Sequence, residues 1–394
     1  MPAVSRSATA AKHRRAAVFH PLHPDDLISM PTHSSRNKNG RRQRFAPAVN
    51  RRLLSTVGAS LLACALADDA TAQSSVSLYG LADVYVGTQK NLGKRRAYAM
   101  NSGGFTTSFW GIGGREDLGG GYALQFALEA FMRPSNGGAG RFGGDTFFGR
   151  NAYVGVATPY GVLRAGRNTT PYYISVVRFN PFSTSFGFSP ALNQMYKGVS
   201  GQGLVGDNGW SNSVLYSTPG EHALQASLIY AAGNEPGHTG ANQWGGSVTY
   251  DGHRAFSATL AFQQAKFDRM PGDLNASIAG FTQQDAVLAG VGYDLTFVKF
   301  TAFYQYAHDA IDGGGPGTHS GQVGAAMPLG FGTVLASVMA AKSHGRDRPS
   351  RTTWALGYDY RLSKRTDVYV AYLHDRASGY GNGDSAGLGL RTAF

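Results

Sequence analysis

The sequence predicts an all-β protein, a sixteen-stranded antiparallel β-barrel that crosses a membrane. Three observations predict it. Apolar and polar residues alternate with period two over segments of about ten residues. From Gln73 onward there is no apolar run of about 18 residues and no 3.6-residue stripe, so no transmembrane helix is expected. Short turns alternate with long polar stretches, as in a membrane-spanning barrel.

Composition agrees. The 394 residues include 54 Gly, too many for a helical protein, since each interior Gly weakens a helix by about 1 kcal/mol. Hydrophobics at 42% and aromatics at 12% exclude a disordered chain. The formal charge of +12 suggests nucleic acid until its position is considered. Residues 1–72 hold 11 of the 36 Lys+Arg and 4 of the 24 Asp+Glu, and the remainder is only +5. No nucleic-acid partner is expected.

Residues 1–50 have no sustained period and read as a disordered basic extension, which ahead of a signal suggests an over-extended start of translation. Residues 51–72 read as a secretory signal peptide: Arg51-Arg52, an apolar run from Leu53 to Ala67, and Ala70-Thr71-Ala72 as the cleavage site. The single cysteine leaves two outcomes open. Leu61-Leu62-Ala63-Cys64 resembles a lipobox that would acylate Cys64, whereas cleavage after Ala72 removes it.

The barrel is expected over 73–394. In its first strand Val76, Leu78, Gly80, Ala82, Val84 and Val86 share one face, and Ser77, Tyr79, Leu81, Asp83 and Tyr85 the other. In "YALQFALEAF" Tyr122, Leu124, Phe126 and Leu128 oppose Ala123, Gln125, Ala127 and Glu129. Short turns read at Glu116–Gly121, Pro159–Gly161, Pro219–Glu221, Asp251–Arg254, Asp294–Thr296, Pro328–Gly330 and Arg361–Arg365. Longer polar stretches read near 88–105, 133–145, 168–210, 233–242, 266–283, 309–318, 342–350 and 377–384. The last strand, "GLGLRTAF", places Leu388, Leu390 and Phe394 on the lipid face and Gly387, Gly389 and Arg391 on the other, and is expected to pair with the first strand near Val76. A soluble all-β sandwich or barrel would carry the same period with its apolar face inward.

Several segments resemble the Gram-negative general porin family in its β-proteobacterial form. "SSVSLYGLADVYV" is similar to that family's first strand, "SFWGIGGREDLGGGYALQFALEAF" to its second hairpin, and "FFGRNAYVGVATPYGVLRAGRNTTP" to the hairpin before its third loop. "SNSVLYSTP", "DYRLSKRTDVYVAY" and "GLRTAF" continue the likeness to the C-terminus. The resemblance implies a homotrimer of barrels in the lipid of the outer membrane, with short periplasmic turns, long extracellular loops and a third loop, 168–210, folded inward as a constriction. It implies passive diffusion of small hydrophilic solutes and ions, without a cofactor. It also implies that the terminal Phe394 is a signal read by the barrel assembly machinery.

Asn151 to Gly206 contains no Asp or Glu but holds Arg164, Arg167, Arg178 and Lys197, with Arg150 just before it. Fixed charges of one sign in a narrow pore concentrate the opposite ion, so mild anion selectivity is predicted. Parity points Arg164 into the lumen and leaves Arg150 and Arg167 ambiguous. Tyr79, Asp83 and Glu129 on the polar faces complete the candidate lining. Phe109 and Gly113 stand where the family usually carries Arg and Lys, and Arg115 is expected to compensate in part. The competing reading is that these arginines bond to loop carbonyls or pair with Asp83, Glu129 or Asp145. Seven aromatics of the third loop, among them Phe179, Phe182 and Phe188, are expected to dock it against the wall.

No enzyme is expected. The seven His after Ala72 never stand four apart, and neither a G-x-S-x-G elbow nor a Walker loop occurs. "GQGLVG" matches G-x-G-x-x-G without a strand and helix around it, and reads as loop. A substrate-preferring pore and an adhesin or structural barrel are the alternatives to general diffusion.

Overall fold

A computed structural model of the chain describes residues 75–199, 202–234, 241–252, 255–267, 280–311, 314–345 and 349–394. The basic extension, the signal peptide and Cys64 lie outside the described residues. The first elements are β1 (Ser75–Lys90), β2 (Ala97–Ser102), β3 (Phe109–Gly119), β4 (Tyr122–Arg133), β5 (Gly138–Ala139), β6 (Asn151–Thr158) and β7 (Gly161–Thr169). Two helices follow, α1 (Pro171–Arg178) and α2 (Pro190–Tyr196). Then come β8 (Gly209–Ser217), β9 (Leu224–Ala231), β10 (Gln243–Asp251), β11 (Phe256–Ala265), β12 (Phe281–Asp294) and β13 (Lys299–Ile311). The last are β14 (Gly317–Leu329), β15 (Gly332–His344), β16 (Ser350–Arg361), β17 (Thr366–Ala377) and β18 (Gly381–Ala393).

β2 and β5 are short additions within the first two loops; the other sixteen strands form the wall, each antiparallel to its neighbours. All seven expected short turns fall between paired strands. β1 pairs with both β3 and β18, so the sheet closes without an edge. Closure is set higher than expected. Val76 pairs with Gly114, and β18 meets β1 only from Leu81 upward. Gly80 explains the register: Phe394 exchanges backbone hydrogen bonds with it at 3.0 and 3.2 Å, and a Cβ there would stand 2.5 Å from the Phe394 ring. The eighth loop is also shorter than its polarity suggested. β17 reaches Ala377 and β18 starts at Gly381, because polar residues beyond the bilayer remain in the ladder.

The direction of the faces decides between a membrane barrel and a soluble one. On β14 Val323 is 56% exposed while its neighbour Gln322 is 2% exposed. Val287 and Tyr304 likewise point out where Gln284 and Gln305 point in. The apolar face is therefore the outside, as a lipid environment requires.

The third loop fills much of the inside. Thr170 caps α1 by accepting from Tyr173 N at 3.2 Å, Ser189 caps α2 by accepting from Leu192 N at 3.3 Å, and a proline opens each helix. α1 packs against β10 and β11, and α2 against β15 and β16. Tyr172 donates to Gln305 at 2.9 Å, and Gln194 Nε2 to Met339 O and Thr353 Oγ1 at 2.8 and 2.9 Å. Glycines on the lumen face seat the loop's apolar side chains. Cβ atoms at Gly290, Gly324, Gly357 and Gly387 would come within 3.1 Å of Phe179, Pro181, Phe182 and Phe188 respectively. Phe179, Phe182 and Phe188 are buried, as docking against the wall requires.

Candidate functional site

At the loop end of the lumen a cavity of about 540 Å³ opens between the third loop and the wall. Phe186, Tyr196, Lys197 and Asp207 line one side, and Tyr85, Ser108, Met132, Arg133 and Arg141 the other. A register shift between Gly166 and Asn168 in β7 brings in the residue whose direction parity left open. Gly166 has φ 136°, and a Cβ there would lie 2.2 Å from Ala152 O, so only glycine fits the bend. Arg167 is turned inward and buried.

Three carboxylates organise the arginines around this cavity. Glu129 accepts from Tyr79 Oη at 2.8 Å and Asn151 Nδ2 at 2.6 Å, and forms an ion pair with Arg150. Arg150 lies over the Phe109 ring at 4.0 Å. Arg141 clamps Asp145 at 2.9 Å and Asp207 at 2.7 and 2.8 Å. Arg167 pairs with the same Asp207 and donates to Gly149 O at 2.8 Å and Ser211 Oγ at 2.9 Å. Burial alone would raise the Asp145 carboxyl, but the bonds and charge of Arg141 hold it below its ordinary value.

Other cations of the lumen have no paired carboxylate among the described residues. Arg164 points inward, its guanidinium 4.7 Å from the Tyr153 ring, and makes no ion pair among the described residues. Arg133 donates to Ala139 O at 3.1 Å, and Lys197 Nζ to Phe186 O at 2.6 Å. Lys197 reaches lumenal water yet is ringed by protein. That enclosure, and then the nearby Arg351, lower its ammonium to about 8 although Asp375 pulls the other way.

Three sequence-predicted residues lie apart from this cluster. Asp83 is 0% exposed. It accepts from the backbone N–H of Gly104, Phe105 and Thr106 at 3.0, 2.8 and 2.7 Å and from Tyr369 Oη at 2.5 Å, so it anchors the first loop and offers the lumen no free charge. Arg115 cannot compensate for Phe109, because six residues of strand toward the turn separate them, about 20 Å. Arg178 pairs with Asp251 at the turn end of β10, below the cavity. Sequence reasoning missed Arg133, Arg141 and Asp207. Asp207 stands one residue beyond the acid-free stretch and neutralises part of it.

A closed sixteen-stranded wall with an apolar exterior and a charged, loop-filled lumen defines a membrane channel. The Gram-negative porin family matches residues 58–380, and the chain belongs to it. It is an outer-membrane porin for general diffusion. Outer membrane porin protein 32 of Delftia acidovorans is 30% identical over 344 residues, covering 84% of this chain and 91% of that one. An outer membrane porin protein of Bordetella pertussis is 26% identical over 401 aligned positions, covering 86% and 99%. The fold is similar to the anion-selective porin from Comamonas acidovorans, with a TM-score of 0.68 at 24% identity over 82% of this chain and 100% of that one.

Proposed function

We propose that this porin passes small hydrophilic solutes with a mild preference for anions, through a pore narrowed by the third loop. One observation carries the reading. The inward-facing cations Arg133, Arg141, Arg150, Arg164, Arg167 and Lys197 outnumber by three the carboxylates paired with members of the set, Glu129, Asp145 and Asp207, and Arg133, Arg141, Lys197 and Asp207 line the cavity itself. Arg150 pairs with Glu129, and Arg141 and Arg167 with Asp207, so the preference in this reading rests on Arg133, Arg164 and Lys197, for which no ion pair forms among the described residues. Uncompensated cations in a narrow, low-dielectric passage raise the local anion concentration.

The working unit in this reading is a homotrimer, exported by cleavage after Ala72 and closed by an assembly machinery that reads Phe394. Its activity is transport rather than catalysis. Phe186 and Tyr196 on the cavity wall favour a second reading, a pore that prefers solutes with an apolar face. The test is a planar bilayer under a potassium chloride gradient, read for unit conductance and zero-current potential. A potential of the sign set by chloride is expected, and one set by potassium overturns the anion preference. Liposome swelling with equal-sized polar and aromatic solutes separates the second reading.

A further inference from the structure

The outward face carries a cluster that the pore does not use. β13, β14 and β15 bring Tyr306, His319 and Lys342 side by side in one row of the ladder, and His308 and His344 flank Gly317 in the next row toward the loops. His319, Lys342 and His344 are exposed, while Thr318, Ser320 and Ser343 between them face inward. The His319 ring lies 4.7 Å from Tyr306 and 5.2 Å from His344. Its Nδ1 bonds to Tyr304 Oη, which leaves Nε2 without a hydrogen-bond partner among the described residues.

The position is that of head groups, not of hydrocarbon. Tyr304 and Trp354 lie on the same outer face one or two rows further from the loops, where an aromatic girdle marks the interface. Cations just beyond such a girdle meet the polar layer of the outer leaflet. No ion pair to Lys342 forms among the described residues. The acid that shares this face, Asp285, stands in register with His308 and accepts from Gln264 and Gln283 at 2.8 and 2.7 Å.

We propose that His308, His319, Lys342 and His344 bind the phosphate of an outer-leaflet lipid head group. Lys342 Nζ and the free imidazole nitrogens donate to phosphate oxygens, and a neighbouring tyrosine ring packs beside the sugar or glycerol.

Native mass spectrometry of the purified channel tests the proposal, with bisphosphorylated lipid A as the probe. The variant H319A/H344A and the variant K342A should each retain at least about tenfold less lipid, a change of about 1.4 kcal/mol. K364A, in a turn at the opposite end, should match the native channel. Lipid A stripped of phosphate should bind the native channel no better than the double variant. Undiminished retention by the variants overturns the proposal, as does equal binding of phosphate-free lipid A. Displacement by inorganic phosphate at about 10 mM would assign the cluster to free phosphate instead, and loss of oligomer in the variants would assign it to subunit contact.

Discussion

Asp207 holds two arginines at once, so replacing it should expose the charge of both. In D207N Arg141 keeps Asp145 and Arg167 keeps Gly149 O and Ser211, which preserves the local geometry. The lumen gains one net positive charge. A cavity of about 540 Å³ has the volume of a sphere about 5 Å in radius, so an ion at its centre lies about 5 Å from a lining charge. A unit charge at that distance in water is worth about 0.8 kcal/mol, and about 0.1 M salt screens this to about 0.5 kcal/mol. An anion gains that amount and a cation loses it, about 2.3-fold each, so the anion-to-cation permeability ratio should rise about fivefold. The assay is the zero-current potential in a salt gradient, with heat-modified gel migration to verify a folded barrel. An unchanged potential, or a shift toward cations, in a folded D207N channel would refute the placement of Asp207 on the ion path.

Lys197 is cationic below about 8 and neutral above it, so anion preference should fall between about pH 7 and pH 9. K197M should lose that step, and a pH-independent native channel would contradict the assignment. Asp83 accepts four hydrogen bonds, each worth about 1.5 kcal/mol, so D83A should lose about 6 kcal/mol of stability in denaturant titration and show noisier open-channel current. In G324V the added carbons would overlap Pro181, where a Cβ already stands 2.5 Å from its ring, so the third loop should be displaced and unit conductance altered. Deleting Phe394 should lower the yield of assembled channel measured on unboiled gels; equal yield would reduce the residue to simple packing.

Wall strands were legible because period two and turn chemistry are local properties, written in runs such as Val76 to Val86 and in Leu362-Ser363-Lys364. The inward direction of Arg164 was legible for the same reason. The direction of Arg167 stayed open, because a single inserted residue reverses parity and only Gly166 hinted at the bend. The inward packing of the third loop came from family resemblance, since its partners, such as Gln305 for Tyr172, are more than a hundred residues away. Asp83 looked like a lumen charge from its face alone. Its capture by three backbone amides depends on how the first loop folds back, which no pattern in the strand encodes.

Joining β1 to β18 makes the first strand wait for the last residue. Until Phe394 has been synthesised and delivered, Leu81 to Lys90 have no permanent partner on that side, and the barrel is an open sheet with two sticky margins. Pairings between opposite ends of a chain pay the largest loop-closure entropy and form slowly. Folding is thereby separated in time from translation, and the unfinished chain must be shielded for the whole of its journey to the membrane.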